Sequence, residues 1–445
     1  MAPDPARLVA FDVLRAIDEQ NAYANIELSR LLRERRVSGR DAALATELVS
    51  GTLRMRGAYD AVIDQLVDRP LDEPVRDALR LGVHQVLSMR VPSHAAVGTT
   101  VDLVKKRIGH RPSGLVNAVL RKVGARSLDD WLAGRPLAER MSHPSWVVDE
   151  LGRALDRPDE LESLLRADND RPAVTLVARP GLATREELGG GPTGVSPYAV
   201  VLDGGDPGAL PAVREGRAGV QDAGSQLVAV ALHRATVDGT DARWLDLCAG
   251  PGGKAALLAA LAAESGARVL ANERQPHRAR LVAQATRAAA GGMLGVIAGD
   301  GTRPAWSPGI FDRALVDAPC TGLGALRRRP ESRWRRKQSD IAGLVPLQVA
   351  LLWAALDATR AGGVVVYATC SPVVEETAGV LDAVLAERPD ARLEPAVDLL
   401  PEVTDAESAH VPGAVQLWPH RHGTDAMFIA VLRRRVPTGP AAGGP

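Results

Sequence analysis

The chain has 445 residues, enough for two or three domains, with 46% hydrophobic and 24% charged residues. Lys plus Arg and Asp plus Glu number 54 each, so the formal net charge is zero and any nucleic-acid surface must be a local patch. Three widely spaced cysteines without a C-x-x-C pair exclude a disulfide framework and a cysteine zinc site, and no metal is expected.

The N-terminus, Met1-Ala2-Pro3-Asp4, has no basic stretch followed by an apolar core. No apolar run reads as long enough to span a bilayer. The expectation is a cytoplasmic monomer without membrane contact. Residues 4 to about 125 carry helical periodicity throughout. Asp4 is placed to cap a helix that has Pro5 at its first position. Val9, Val13 and Ile17 recur on one face, and similar stripes follow to Val116, Val119 and Val123. The pattern predicts an all-α bundle of six or seven helices. Lys105, Lys106, Arg107, Arg111, Arg121, Lys122 and Arg126 collect near its end, as a solvated face or an RNA-contacting one.

Residues 127–240 read as a linker and a small α+β subdomain. A helical stretch over 146–165 precedes strands at 173–177, 199–202 and around Gly219-Val220. Asp222 is positioned to cap the helix over 225–235. From Arg243 strands and helices alternate, which predicts a doubly wound parallel sheet over 241–435. Strands are expected at 243–247, 268–271, 294–298, 311–316 and 363–367, with helices at 254–263, 277–290, 340–359 and 375–387. Residues 415–418 and 427–432 suggest a terminal antiparallel pair. The Gly/Pro/Ala-rich stretch 436–445 is expected to be a disordered tail.

In such sheets ligands bind beyond the carboxyl ends of the strands. Leu245-Asp246-Leu247-Cys248-Ala249-Gly250-Pro251-Gly252-Gly253-Lys254 is a strand, a Gly-rich turn and a helix start. Such a turn lets backbone approach a ligand and leaves helix N–H groups free. Glu273 ends the next strand, where an acid accepts ribose hydroxyls, and Asp300 follows the third, placed to meet an adenine amino group. Neither phosphate-binding glycine motif is present, so the pattern points to a nucleoside cofactor. It resembles the class I S-adenosylmethionine-dependent methyltransferase fold, seven-stranded in that family. The resemblance implies cofactor contacts at Cys248, Ala249, Gly250, Pro251, Gly252, Gly253, Lys254, Glu273, Arg278, Asp300 and Asp317. Cys248 is expected as a pocket wall.

Cys320, in Asp317-Ala318-Pro319-Cys320, and Cys370, in Thr369-Cys370-Ser371, each follow a strand. Cytosine carbon-5 is a poor nucleophile. Thiolate attack on carbon-6 makes an enamine-like adduct whose carbon-5 can accept a methyl group from a sulfonium. An acid such as Asp317 can hold the amino and N3 edge while a second thiol helps elimination. The two motifs resemble the RNA (cytosine-5) methyltransferases of the NOL1/NOP2/Sun family. The resemblance implies Cys370 as nucleophile and Cys320 as the group that assists release. DNA cytosine-5 methyltransferases use the Pro-Cys thiol instead, and a non-catalytic RNA-binding factor is the other alternative.

His94-Ala95-Ala96-Val97, Val101-Asp102-Leu103-Val104-Lys105-Lys106 and Gly114-Leu115-Val116-Asn117-Ala118-Val119-Leu120-Arg121 resemble a NusB-like RNA-binding domain, expected over 1–126. Together the halves resemble the bacterial Sun/RsmB (Fmu) group, which implies one cytosine of 16S ribosomal RNA as substrate. Two departures stand out: Gly250 where Ala is more usual, and Gly423-Thr424-Asp425-Ala426-Met427-Phe428 where a Gly-Phe-Phe-like run is usual. Just after Cys320, Arg327, Arg328, Arg329, Arg333, Trp334, Arg335, Arg336 and Lys337 are expected to form a flexible RNA-binding loop.

Overall fold

The structure is a computed structural model and describes residues 4–435, so the expected tail at 436–445 lies outside the described residues. It contains two compact units. One takes the chain up to Asp149 together with Leu161–Asp170 and Leu326–Arg336; the other takes Glu150–Glu160, Arg171–Ala325 and the chain from Lys337 on.

The first unit is helical. α1 (Pro5–Gln20), α2 (Ala24–Glu34), α3 (Gly39–Arg54), α4 (Arg56–Asp64), α5 (Glu73–Leu87), α6 (Ser93–Arg107) and α7 (Ser113–Val123) form the expected bundle. Asp4 caps α1 through the Ala6 N–H at 2.8 Å. Leu48, Tyr59, Leu79, Leu103 and Leu120 fill the core. The Tyr59 hydroxyl meets His84 Nδ1 at 2.8 Å, and burial pushes that imidazole down to about 4. The cations at the end of the bundle are exposed, with Arg107 paired to Asp12 at 2.6 Å.

The second unit holds two sheets. The smaller is antiparallel: β1 (Val174–Ala178), β2 (Gly191–Pro192), β3 (Ala199–Leu202) and β4 (Ala218–Val220) run in the order β2-β3-β1-β4. Helix Ala223–Arg234 follows, capped by Asp222 through the Gly224 N–H at 2.9 Å.

The larger sheet has β5 (Arg243–Asp246), β6 (Arg268–Glu273), β7 (Met293–Ala298), β8 (Phe311–Asp317), β9 (Thr359–Thr369), β10 (Ala391–Glu394), β11 (Val415–Gln416) and β12 (Phe428–Arg434). Seven strands run in the order β10-β12-β9-β8-β5-β6-β7, and the short β11 pairs with β12. β5 pairs in parallel with both β6 and β8, so the winding direction reverses between β5 and β8. That reversal opens the crevice at which doubly wound sheets bind ligands.

Several boundaries differ from expectation. The helical stretch over 146–165 is two helices, Ser145–Ala154 and Leu161–Ala167, parted by a short 3-10 turn at Pro158–Glu160. β10 went unrecognised because Ala-Arg-Leu-Glu has little strand character alone; antiparallel pairing with β12 makes it a strand. Helix Ser339–Ala358 is, contrary to expectation, long and apolar enough to cross a membrane by length and composition. It packs against β8 and β9, so its apolar character serves the sheet core.

Candidate active site

Three strand ends supply the site. β5 ends in Asp246, β8 in Asp317 and β9 in Thr369, with Cys370 next in the chain. Their register is tight: Asp246 pairs with Leu315 and Asp317 with Ala368. The Pro319 turn and the Cys370 turn are therefore neighbours. Cys320 Sγ lies 3.4 Å from Cys370 Sγ, and both thiols are free of disulfide bonding. The hydrogen bond with Cys370, burial, and the charges of Glu376 and Asp317 all push the Cys320 thiol well above its ordinary range.

The turns are cross-tied. Gly324 N–H donates to the Cys370 carbonyl at 2.9 Å, and Ala426 N–H to the Gly324 carbonyl at 2.8 Å. A Cβ on Gly324 would fall 2.1 Å from the Ala426 oxygen, so only glycine permits this approach. In the departing segment Gly423–Phe428, Ala426 thus supports the thiol turn. Phe428 is fully buried edge-on to Tyr367 and offers no face for stacking a base.

Lys254, at the start of helix Gly253–Ser265, points its Nζ at Asp317 Oδ2, 2.8 Å away. Burial acts to depress this ammonium, but Asp317, with smaller help from Cys370 and Asp246, outweighs it, and the net shift is upward. Sequence reasoning gave Lys254 and Asp317 to the cofactor, and Asp317 also to a cytosine edge; the structure joins the two in one ion pair beside the thiols.

The Gly-rich turn carries the cofactor side. The Gly250 carbonyl accepts from Arg278 Nη2 at 2.7 Å, and Glu273 Oε1 accepts from the Gln275 N–H at 2.9 Å. A Cβ on Gly250 would come within 2.0 Å of Glu273 Oε2. The departure from alanine at 250 therefore leaves room for the carboxylate at the β6 end. Asp300 is exposed, and its Oδ1 accepts from the Thr302 hydroxyl and N–H, which hold it below the usual carboxylate range. Burial and the charges of Asp246 and Asp317 push the Cys248 thiol well up.

Two acids were missed. Asp246 is 1% exposed, and burial with repulsion from Asp317 raises it to about 7. The Lys254 charge and the Cys248 backbone N–H act in the opposite direction but do not outweigh burial. The signal for Asp246 was available, as an acid ending the first strand of the alternating region. Glu376 is fully buried against Thr321 and had no such signal.

The basic segment departs most from expectation. Arg333 is 0% exposed and docks into the helical unit. Its guanidinium donates to the carbonyls of Arg54, Ser142 and Asp168 and to Asn169 Oδ1, at 2.8–3.2 Å. Trp334 Nε1 donates to the Leu53 carbonyl at 2.8 Å, and Arg335 stacks on Tyr23 at 4.3 Å. Arg327 is buried and Arg328 and Arg336 are half-buried, while Arg329 and Lys337 are exposed. Arg333 and the Trp334 indole N–H are therefore committed to the protein, and the segment is not a free loop.

A family model described as 16S rRNA methyltransferase RsmB/F matches residues 236–433, and the NusB family model matches residues 4–125. The chain is 50% identical over 453 residues to a putative methyltransferase of Mycobacterium tuberculosis (strain H37Rv), covering 97% of each. The chain belongs to the RsmB/F methyltransferase family. It is 36% identical over 446 residues to ribosomal RNA small subunit methyltransferase B of Escherichia coli O6:K15:H31, covering 96% of this chain and 98% of the other. The crystal structure of PH0851 shares the fold, with a TM-score of 0.78 at 22% identity over 98% of this chain and 99% of that one.

As a family member the chain has the class I methyltransferase fold and is an S-adenosylmethionine-dependent enzyme. The residues present fit that cofactor. Glu273 ends β6 where ribose hydroxyls would be received, Asp246 is a buried acid at the end of the neighbouring β5, and the Gly-rich turn opens a helix at Gly253.

Proposed function

We propose that this protein methylates carbon-5 of a cytosine in 16S ribosomal RNA through a covalent bond between Cys370 and carbon-6. The observation that carries the reading is the 3.4 Å thiol pair beside the Lys254–Asp317 ion pair. Its relatives named as small-subunit ribosomal RNA methyltransferases support the substrate class.

Lys254 interacts electrostatically with Cys370, and a nearby cation favours the sulfur anion. Cys320 keeps its proton and hydrogen-bonds the Cys370 sulfur. The Cys370 thiolate adds to carbon-6, and the displaced electron pair builds up at carbon-5 and along the N3 edge. Asp317 accepts from the amino group there, and Lys254, held by Asp317, donates toward the N3 edge where the charge builds. Bound S-adenosylmethionine supplies the electrophilic methyl group. Water then takes the carbon-5 proton, the carbon-5–carbon-6 double bond re-forms, and the sulfur–carbon-6 bond breaks with its electrons left on Cys370. The Cys320 S–H stabilises that departing thiolate. On the cofactor side, Glu273 holds the ribose hydroxyls, Asp300 meets the adenine and Cys248 lines the wall. Arg329 and Lys337, both exposed, contact phosphate.

Incubating variants with small-subunit ribosomal RNA and S-adenosylmethionine tests the assignment. Cys370→Ala abolishes transfer, and Cys320→Ala accumulates an RNA adduct that survives denaturing gels. Accumulation in Cys370→Ala instead would make Cys320 the nucleophile, as in the DNA enzymes. Absence of S-adenosylmethionine binding by calorimetry would leave a non-catalytic RNA-binding protein.

A further inference from the structure

Glu376 ends a short 3-10 turn at Val374–Glu376, and it is 0% exposed. Its Oε1 accepts from the Thr321 N–H at 2.8 Å and from Gln348 Nε2 at 2.9 Å. Its Oε2 accepts from the Thr321 hydroxyl at 2.5 Å. Gln348 Nε2 also reaches the Pro319 carbonyl at 2.9 Å. The residues on both sides of Cys320 are thus held by the Glu376–Gln348 pair. The Thr321 hydroxyl in turn lies 3.0 Å from the Ser371 hydroxyl, next to Cys370. Thr369 closes the frame by donating to the Ser371 carbonyl at 2.7 Å.

Among the described residues no lysine or arginine pairs with Glu376. A buried carboxylate without a cation is costly, but an amide has one acceptor oxygen where this turn directs three donors at two oxygens, so a carboxylate alone satisfies them all. The side chain is thus matched to holding the Cys320 turn, which is more than filling space. Resting on the cytosine reading above, we propose that Glu376 is a positioning residue for product release: it clamps the Cys320 turn and keeps Cys320 as the proton-bearing partner of Cys370.

The local charges agree. Glu376 and Asp317 both act on Cys320 in the direction that retains its proton, and Tyr367, buried in β9, is neutral. Lys254 acts on Cys370 in the opposite sense. A neutral amide at 376 removes one side of this asymmetry and loosens the Thr321 anchor. Release, which depends on the Cys320 S–H, should suffer more than attack.

The test compares wild type, Cys320→Ala, Glu376→Gln and Glu376→Asp on the same RNA. Adduct is read on denaturing gels, product as 5-methylcytosine, and S-adenosylmethionine affinity by calorimetry. Glu376→Gln is expected to accumulate adduct and to slow release by about 10²-fold, the loss typical of a misplaced proton donor. Its cofactor affinity should stay within about twofold of wild type, since no cofactor-side contact is altered. Glu376→Asp, which keeps the charge, should recover part of the release rate and also serves if the amide variant fails to fold. Adduct and product falling in parallel in Glu376→Gln, or in Glu376→Asp where the amide variant does not fold, overturns the positioning role, as does wild-type behaviour. If wild type makes no 5-methylcytosine and Cys320→Ala traps no adduct, the cytosine reading itself is overturned and the inference with it.

Discussion

Lys254, half-buried, and Arg333, fully buried, are both cations drawn out of solvent, and the regions around them differ in what that serves. At the thiol edge, Lys254 faces one carboxylate, Asp317, and has Cys370 in its field. In the helical unit, Arg333 is surrounded by backbone carbonyls and the Asn169 amide oxygen. Burial pulls its guanidinium down to about 10, with Asp168 acting in the opposite direction. An ammonium opposite a carboxylate keeps hydrogens for a ligand. A guanidinium with its forks filled by carbonyls is a structural staple. The same charge thus serves an ion pair at the thiol edge in one unit and a carbonyl staple in the other.

Replacing Arg333 should break this contrast most severely. Arg333→Met leaves the carbonyls of Arg54, Ser142 and Asp168 without that donor, and should cost the helical unit about 3–5 kcal/mol. Chemical denaturation followed by circular dichroism checks this. Arg333→Lys should rescue little, because an ammonium cannot span the same acceptors. Lys254→Met should cost the second unit less, on the order of 1 kcal/mol because Asp317 is partly solvated, and lower single-turnover methyl transfer by about 10²-fold.

Asp246 sharpens the comparison through pH. Its folded-state value of about 7 lies above the ordinary 3.8. Between those values the folded form holds a proton that the unfolded form has released. The contribution is fully present below the unfolded value and is lost as pH rises through the folded one. From pH 5 to pH 8 the second unit should lose on the order of 2 kcal/mol, and Asp246→Asn should flatten that slope. Denaturation midpoints across the range measure it. The smallest effect belongs to the surface: Lys337→Ala should weaken RNA binding less than tenfold and reduce the salt slope by about 1.

Much of the site was legible because strand ends are. Asp317, Cys320 and Cys370 are placed by hydrophobic strands that stop at them, and a parallel sheet brings such ends to one edge. The caps at Asp4 and Asp222 were legible because capping is local. Arg333 was misread because its acceptors lie at residues 54, 142, 168 and 169, far away in sequence. A run of arginines advertises charge but not the carbonyls that will enclose it. Glu376 was missed for the same reason: its partners Thr321 and Gln348 come from other elements.

The sequence by itself determined the chemical inventory and its order: a helical half, a Gly-rich turn, an acid after each early strand and a thiol after each of two later ones. These depend on periodicity, capping and strand termination, which act over a few residues. Only the tertiary structure decided the pairings. It set Lys254 against Asp317, the two sulfurs 3.4 Å apart and a buried carboxylate behind one of them. Such pairings depend on the registers of β5, β8 and β9, which are set by long-range packing across the whole sheet.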